Sequence, residues 1–184
     1  MSAAESNMLP LGTRAFNFML YDSVNSKITS LDEIRSEKAT VIAFICNHCP
    51  YVKNILPEFC KLTEEYIPRG VRFAAISPND IEKYPEDSPE RMRTLAIENN
   101  FGFPYLYDET QETARLYNAA CTPEFYVFDK DLLLVYRGQF DDSRPGNEIT
   151  PSGADLREAL ENILAGKPVS VIQKASIGCS IKWK

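Results

Sequence analysis

Residues 39 to 45, ATVIAFI, form an apolar run rich in β-branched side chains that breaks off at Cys46-Asn47-His48-Cys49, with Pro50 next. Such a run suits a strand buried on both faces, the kind found inside a helix-covered parallel sheet. A helix is expected to follow from about Pro50 to Tyr66, because Val52, Ile55, Leu56, Phe59 and Tyr66 recur at helical spacing. Pro57 lies inside that helix and predicts a kink. The chain must therefore cover this strand on both sides and deliver two cysteines to its junction with a helix.

The flanking segments extend this pattern. Phe16 to Tyr21 and Lys27 to Thr29, joined by the turn residues Asp22 to Ser26, read as a hairpin. Ser30-Leu31-Asp32-Glu33 has capping-box spacing and opens a short helix near 31–35. A second strand is expected over 71–76, then a proline-rich loop over 78–89, then a helix to about Asn100 with Ser88 as N-cap and Pro89 at its first position. A strand at 104–107, a helix over 108–118, strands at 124–128 and 132–137, and a helix at 154–164 complete the order. Alternating βαβ units imply a parallel core, and the late hairpin adds antiparallel strands at one side. The expectation is an α/β chain with a central mixed sheet flanked by helices, forming a single domain over 1–184. Its core spans about 14–166, and a C-terminal tail over 167–184 docks on the body.

The 184 residues suit one domain, and a hydrophobic content of 44% is enough for a full core. The net charge of −6, with no basic stripe, argues against nucleic acid or an anionic membrane as partner. The N-terminus lacks the charge-then-apolar pattern of a secretory signal, so a cytoplasmic location is expected. Five cysteines at low density do not resemble a disulfide-stapled scaffold, and in a reducing compartment a CxxC points to catalysis or metal binding. Zinc fails on ligand count, since no second CxxC or HxxxH completes a tetrahedron, so no metal is expected.

The first turn of a helix carries unpaired N–H groups and partial positive charge, so a thiolate placed there is stabilised. On this reading Cys46 attacks a disulfide and Cys49 resolves the mixed disulfide. His48, the single histidine, adds positive potential beside Cys46. Cys60 is too far along the helix to join the pair and reads as a buried thiol. Cys121-Thr122-Pro123-Glu124 precedes a strand, a place for a cis peptide at Pro123.

CxxC after a buried strand, Thr-Pro before a later hairpin and a closing helix resemble the thioredoxin superfamily. The chain is most similar to a peroxiredoxin-like, AhpC/TSA-related group with ICNHCP, CTPEF, YRGQFDDSRPG and a tail ending GC-x-IKWK. The resemblance covers essentially the whole chain and implies a thioredoxin-like fold with an N-terminal hairpin extension. It also implies that Pro123 is the cis-proline beside the dithiol, and that Asn47, Thr122 and Pro123 contact the substrate. It implies an oxidoreductase active in redox homeostasis. The redox-active disulfide then serves in place of a cofactor, and the partners are protein or small-molecule disulfides and thiols plus a reducing partner, for a monomer or homodimer.

Three departures qualify that picture. The peroxidase branch needs a Thr three residues before its cysteine, which corresponds to the second CxxC position. Ala43 holds that spacing before Cys46, and Cys46 itself holds it before Cys49. Arg137 and Arg144 are the candidates for the family's missing arginine. Thioredoxin's buried acid is absent from ATVIAFI, leaving Glu124 as the candidate proton acceptor for Cys49. Cys121, facing the dithiol, and Cys179, in the tail, are accessory thiols, with Ile177, Ile181 and Trp183 expected to dock the tail. The alternatives to a disulfide oxidoreductase are a thiol peroxidase with antioxidant activity and a binding module without turnover.

Overall fold

The structure is a computed structural model that describes residues 3–184; Met1 and Ser2, the first residues of the expected domain, lie outside the described residues. Along the chain run β1 (Ala3–Glu5), β2 (Met19–Asp22), β3 (Lys27–Ser30), α1 (Leu31–Ile34), β4 (Ala39–Phe44) and α2 (Pro50–Tyr66). Then come β5 (Val71–Ser77), α3 (Pro89–Glu98), β6 (Tyr105–Tyr107), α4 (Glu112–Leu116) and β7 (Cys121–Thr122). β8 (Glu124–Asp129), β9 (Leu134–Gly138), α5 (Ala154–Leu164) and β10 (Ile177–Ser180) finish the fold.

Seven strands form one mixed sheet in the order β3-β2-β6-β5-β4-β8-β9. β4 pairs in parallel with β5, and β5 with β6, while the hairpins attach antiparallel at either side. This is the thioredoxin-like mixed sheet. β4 is buried at every residue, as its apolar run requires. Its alternation sends Val41, Ala43 and Ile45 to one face and Ile42 and Phe44 to the other. Val52, Ile55, Phe59 and Leu62 of α2, with Leu156 and Leu160 of α5, cover the first face. Leu31 and Ile34 of α1, Ala114 of α4 and Tyr117 just after it cover the second.

Phe59 is the hub of the first core. Its ring meets Phe73, Phe103, Phe125 and Phe140, with centroids 5.4–6.2 Å apart. α2 runs unbroken through Pro57, which sits on its exposed face. α4 starts later than its periodicity predicts. The buried Asp108 carboxylate accepts the Thr113 and Ala114 amides, and Gln111 takes a left-handed conformation, so 108–111 forms a turn. Gly153 opens α5 at φ +68, where a Cβ would stand 2.8–2.9 Å from Phe140 and Leu62; only glycine fits.

The tail contains a strand that periodicity does not reveal. β10 is the middle of a second, three-stranded sheet in the order β1-β10-β7, pairing antiparallel with both neighbours. Ile181 is buried, Trp183 packs on the second core beneath the Arg115 guanidinium, and Ile177 is 40% exposed, so it does not dock as expected. Among the described residues no helix is long and apolar enough to cross a membrane.

Phe59→Ala empties the centre of the first core. It is expected to lower the unfolding free energy by about 3–5 kcal/mol, seen as a fall in the urea midpoint at unchanged m-value.

Candidate active site

β4 ends at Phe44, and the turn that follows folds Cys46 onto the α2 face of the sheet. Cys49 is the N-cap of α2, with extended backbone, and Pro50 takes the first helical position, where no N–H is needed. The helix N-terminus therefore acts first on Cys49, and Cys46 stands outside it. Both thiols are fully buried.

Across from them the Thr122–Pro123 peptide is cis. Thr122 touches both sulfurs: its hydroxyl lies 3.3 Å from Cys46 Sγ, and its carbonyl oxygen lies 3.1 Å from Cys49 Sγ. A fully buried Asp87, from a 3₁₀ turn over Pro85–Asp87, approaches from a third direction. One of its oxygens accepts the backbone N–H groups of Asn47 (2.8 Å) and His48 (3.2 Å). The other meets His48 Nδ1 at 2.6 Å and accepts the Asn79 amide at 2.8 Å. The Asn47 side chain donates to the Glu86 carbonyl and accepts the Tyr105 hydroxyl. The His48 ring stacks on Tyr84 at 5.1 Å, with Nδ1 3.9 Å from Cys46 Sγ. The turn carrying both cysteines is thus wrapped around a carboxylate.

That carboxylate decides the local charges. Burial opposes ionisation of Asp87, but hydrogen bonds from His48 and Asn79 outweigh it and hold its pKa below the ordinary value. Asp87 in turn raises His48, chiefly through their hydrogen bond. Cys46 is pushed well up by its contact with Cys49, by burial and by the Asp87 charge. Cys49 is lowered to about 5, first by a hydrogen bond from Cys46, against burial, then by Cys179 and the helix amide of Val52. The Thr122 side chain adds a smaller lowering. The expectation that His48 acidifies Cys46 at the helix N-terminus meets two differences in the structure. Cys49 holds the helix position, and Asp87 cancels the imidazolium beside Cys46.

Residues 11–137 match the family model described as AhpC/TSA family. The chain belongs to the AhpC/TSA family. It is similar to an uncharacterized conserved protein from Geobacillus kaustophilus, at 56% identity over 100% of this chain and 97% of that one, with a TM-score of 0.98. A hypothetical protein from Sinorhizobium meliloti 1021 shares 43% identity over 98% of each chain, with a TM-score of 0.95. Peroxidoxin BcpB from Mycobacterium tuberculosis shares the fold, with a TM-score of 0.63 at 18% identity over 84% of this chain and 96% of that one. No curated protein matches.

Within this AhpC/TSA chain the other anticipated residues divide. Cys179 is brought into contact with Cys49. Cys121 is buried beside the Pro123 carbonyl and Glu124, and burial raises its pKa strongly. Glu124 does not reach Cys49. Its carboxylate accepts the Ala120 and Cys121 amides and the Tyr126 hydroxyl, on the opposite face of the sheet from the dithiol. Arg137 donates to the Leu9 carbonyl and to Gln173, away from both sulfurs. Arg144 binds the Asp141 and Ser143 carbonyls and lines a small recess with Pro123 and Tyr51. Cys60 is buried, its pKa pushed up to about 11 by burial.

Asp87 and its partner Asn79 escape sequence reasoning. Their only trace is an acid next to the Ser88-Pro89 helix start, a pattern usually accounted for by solvent. Cys46 Sγ, a His48 ring nitrogen and an Asp87 oxygen lie within 4.8 Å of one another, the spacing of three metal ligands. The Asp87 oxygens already accept four N–H donors, which is how a carboxylate organises a turn rather than chelates an ion.

Two titrations check these charges. With a single histidine, the imidazole signal in NMR belongs to His48 and is expected to titrate above about 6.5. Because the folded pKa is raised, the pair's stabilisation is complete below the unfolded pKa and fades as pH rises through the folded one. Asp87→Asn is expected to lower the His48 pKa; an unmoved titration would contradict the ion pair. Thiolate absorbance in the reduced protein is expected to rise with a midpoint near 5, to shift upward in Cys46→Ala and to vanish from that range in Cys49→Ser.

Proposed function

We propose that this protein is a thiol–disulfide oxidoreductase of the cytoplasm whose working group is the Cys46–Cys49 dithiol. The observation that carries the reading is the placement of both buried sulfurs at the α2 N-terminus against Thr122 and the cis Pro123. Cys49 as thiolate attacks a client disulfide, forming a Cys49–client mixed disulfide and releasing the client's other sulfur as a thiolate. This removes the Cys49 charge, one of the influences that keep Cys46 protonated. Cys46 then gives its proton to the released thiolate and attacks Cys49 Sγ. The Cys46–Cys49 disulfide forms and the second client sulfur leaves. Two electrons have passed to the client, and an external dithiol or small thiol returns them to the enzyme.

In this scheme Thr122 orients both sulfurs, Pro123 closes the wall beside them, and Asn47 and His48 hold the turn through Asp87. The two cysteines keep the roles of a dithiol pair, with the attacking position moved from Cys46 to Cys49. Clients are protein or small-molecule disulfides, and the disulfide itself stores the electrons.

The low pKa of Cys49 also favours a second reading, thiol peroxidase, because a thiolate in the second CxxC position occupies the peroxide-reactive place of the family. Cys49 would take one peroxide oxygen to become a sulfenic acid, and Cys46 would condense with it, releasing water. Against this, Cys46 stands where a peroxide-binding Thr belongs, and Arg137 points elsewhere.

The reduced protein should be mixed with a protein disulfide and, separately, with hydrogen peroxide, and the second-order rates of thiol loss compared. Faster reaction with the disulfide is expected, with two thiols lost and the rate abolished by Cys49→Ser. A peroxide rate that exceeds the disulfide rate selects the second reading. Thiols inert to both leave a binding module without turnover.

A further inference from the structure

The dithiol of the proposed oxidoreductase is covered by the chain's own tail. β10 lies antiparallel on β7, with Cys179 opposite Thr122 and Ser180 opposite Cys121, so the tail occupies the backbone edge immediately before the cis proline. The approach is as close as backbone allows. A Cβ on Gly178 would stand 2.0 Å from the Thr122 carbonyl oxygen and 3.1 Å from the Pro123 nitrogen, so only glycine is accepted there. On its other edge β10 is paired by β1.

The residues after β10 are fastened at several points. The Ile181 amide donates to the Ala120 carbonyl, the Lys182 amide to Asn79 Oδ1, and the Lys182 carbonyl accepts from Asp80 and Gln111. This fastening holds the buried Cys179 in one core cluster with Cys46 and Cys49, opposite the Thr122 whose carbonyl lies 3.1 Å from Cys49 Sγ. Cys49 therefore contacts two thiols, Cys46 from the turn and Cys179 from the tail.

We propose that Cys179 is a third redox thiol of this site and that β10 is a built-in exchange client held against the Thr122–Pro123 loop. The proposal rests on the dithiol reading above. Starting from the Cys46–Cys49 disulfide, Cys179 attacks Cys49 Sγ. The Cys179–Cys49 bond forms, the Cys46–Cys49 bond breaks, and Cys46 leaves with the sulfur electron pair and takes up the proton that Cys179 gave up. No electrons enter or leave, so no oxidant beyond the client disulfide is needed.

Burial first, then the hydrogen bond with Cys49 and its charge, raise Cys179 to about 12 in the reduced protein. Oxidation of the dithiol removes the Cys49 contribution, and the nearby Lys182 favours the Cys179 thiolate, so the tail thiol is less opposed to ionising when there is a disulfide to attack. The product ties β10 to the N-terminus of α2 and regenerates a free Cys46. A client must displace β10 to reach the dithiol, and the Cys49–Cys179 link prevents that displacement.

The test is disulfide mapping by mass spectrometry after equilibration with oxidised glutathione and acid quenching, on wild type, Cys46→Ser, Cys179→Ser and Gly178→Val. Expected is a Cys49–Cys179 peptide pair in wild type beside Cys46–Cys49, and as the sole internal link in Cys46→Ser. It should be lost in Cys179→Ser. Gly178→Val, which forces β10 off the Thr122 carbonyl, should lose the tail link while keeping Cys46–Cys49. The Cys46→Ser exchange alters a single atom and carries the test should Gly178→Val fold poorly. Cys179 recovered as a free thiol from wild type, together with glutathione left on Cys49 of Cys46→Ser, overturns the tail proposal and leaves the dithiol function standing. Absence of any thiol loss in wild type overturns both.

Discussion

The hydrogen bonds of Thr122 hold the site together from three directions. Its hydroxyl faces Cys46, its carbonyl faces Cys49, and its backbone pairs with Cys179 of the tail strand. The cis bond to Pro123 turns the chain at this point, so that β7 and β8 serve different sheets on either side of a single residue. A polar residue buried among thiols has few acceptors to choose from. Thr122 meets that constraint by giving each sulfur one polar contact.

Asp87 is the complementary element. A buried carboxylate is costly unless it is paired, and here four N–H groups pair it: two from the backbone of the cysteine turn, one from His48 and one from Asn79. The result is a rigid turn and an imidazolium whose charge is spent on Asp87 rather than on Cys46. The acid that the sheet lacks under the dithiol is thus replaced by one entering from the side. It acts through the shape of the turn, while the helix end and the flanking thiols lower Cys49.

Much of the architecture was legible in the residues. The β-branched run at 39–45, the capping pattern at Ser88-Pro89 and the amphipathic spacing of 154–164 each have one dominant local cause, and each element formed where that cause placed it. The cis geometry at Pro123 followed from a Thr-Pro step entering a strand. β10 and β1 were not legible. Ile177 to Ser180 has no alternation to mark a strand, and its extended form depends on partner edges more than fifty residues away, with Gly178 serving close approach rather than a turn. Asp87 was hidden for a related reason, since a single acid in a proline-rich loop carries no periodic signal of burial.

From sequence alone the chain is a helix-covered mixed sheet that delivers a dithiol to a helix start, because strand burial and helix periodicity are local patterns. Which sulfur ionises, what neutralises His48, that Glu124 faces away from the dithiol, and that Cys179 reaches Cys49 were decided only by the tertiary structure. Each depends on the distance and direction between groups remote in the chain, and charge and hydrogen-bond energies respond to that distance, not to sequence spacing.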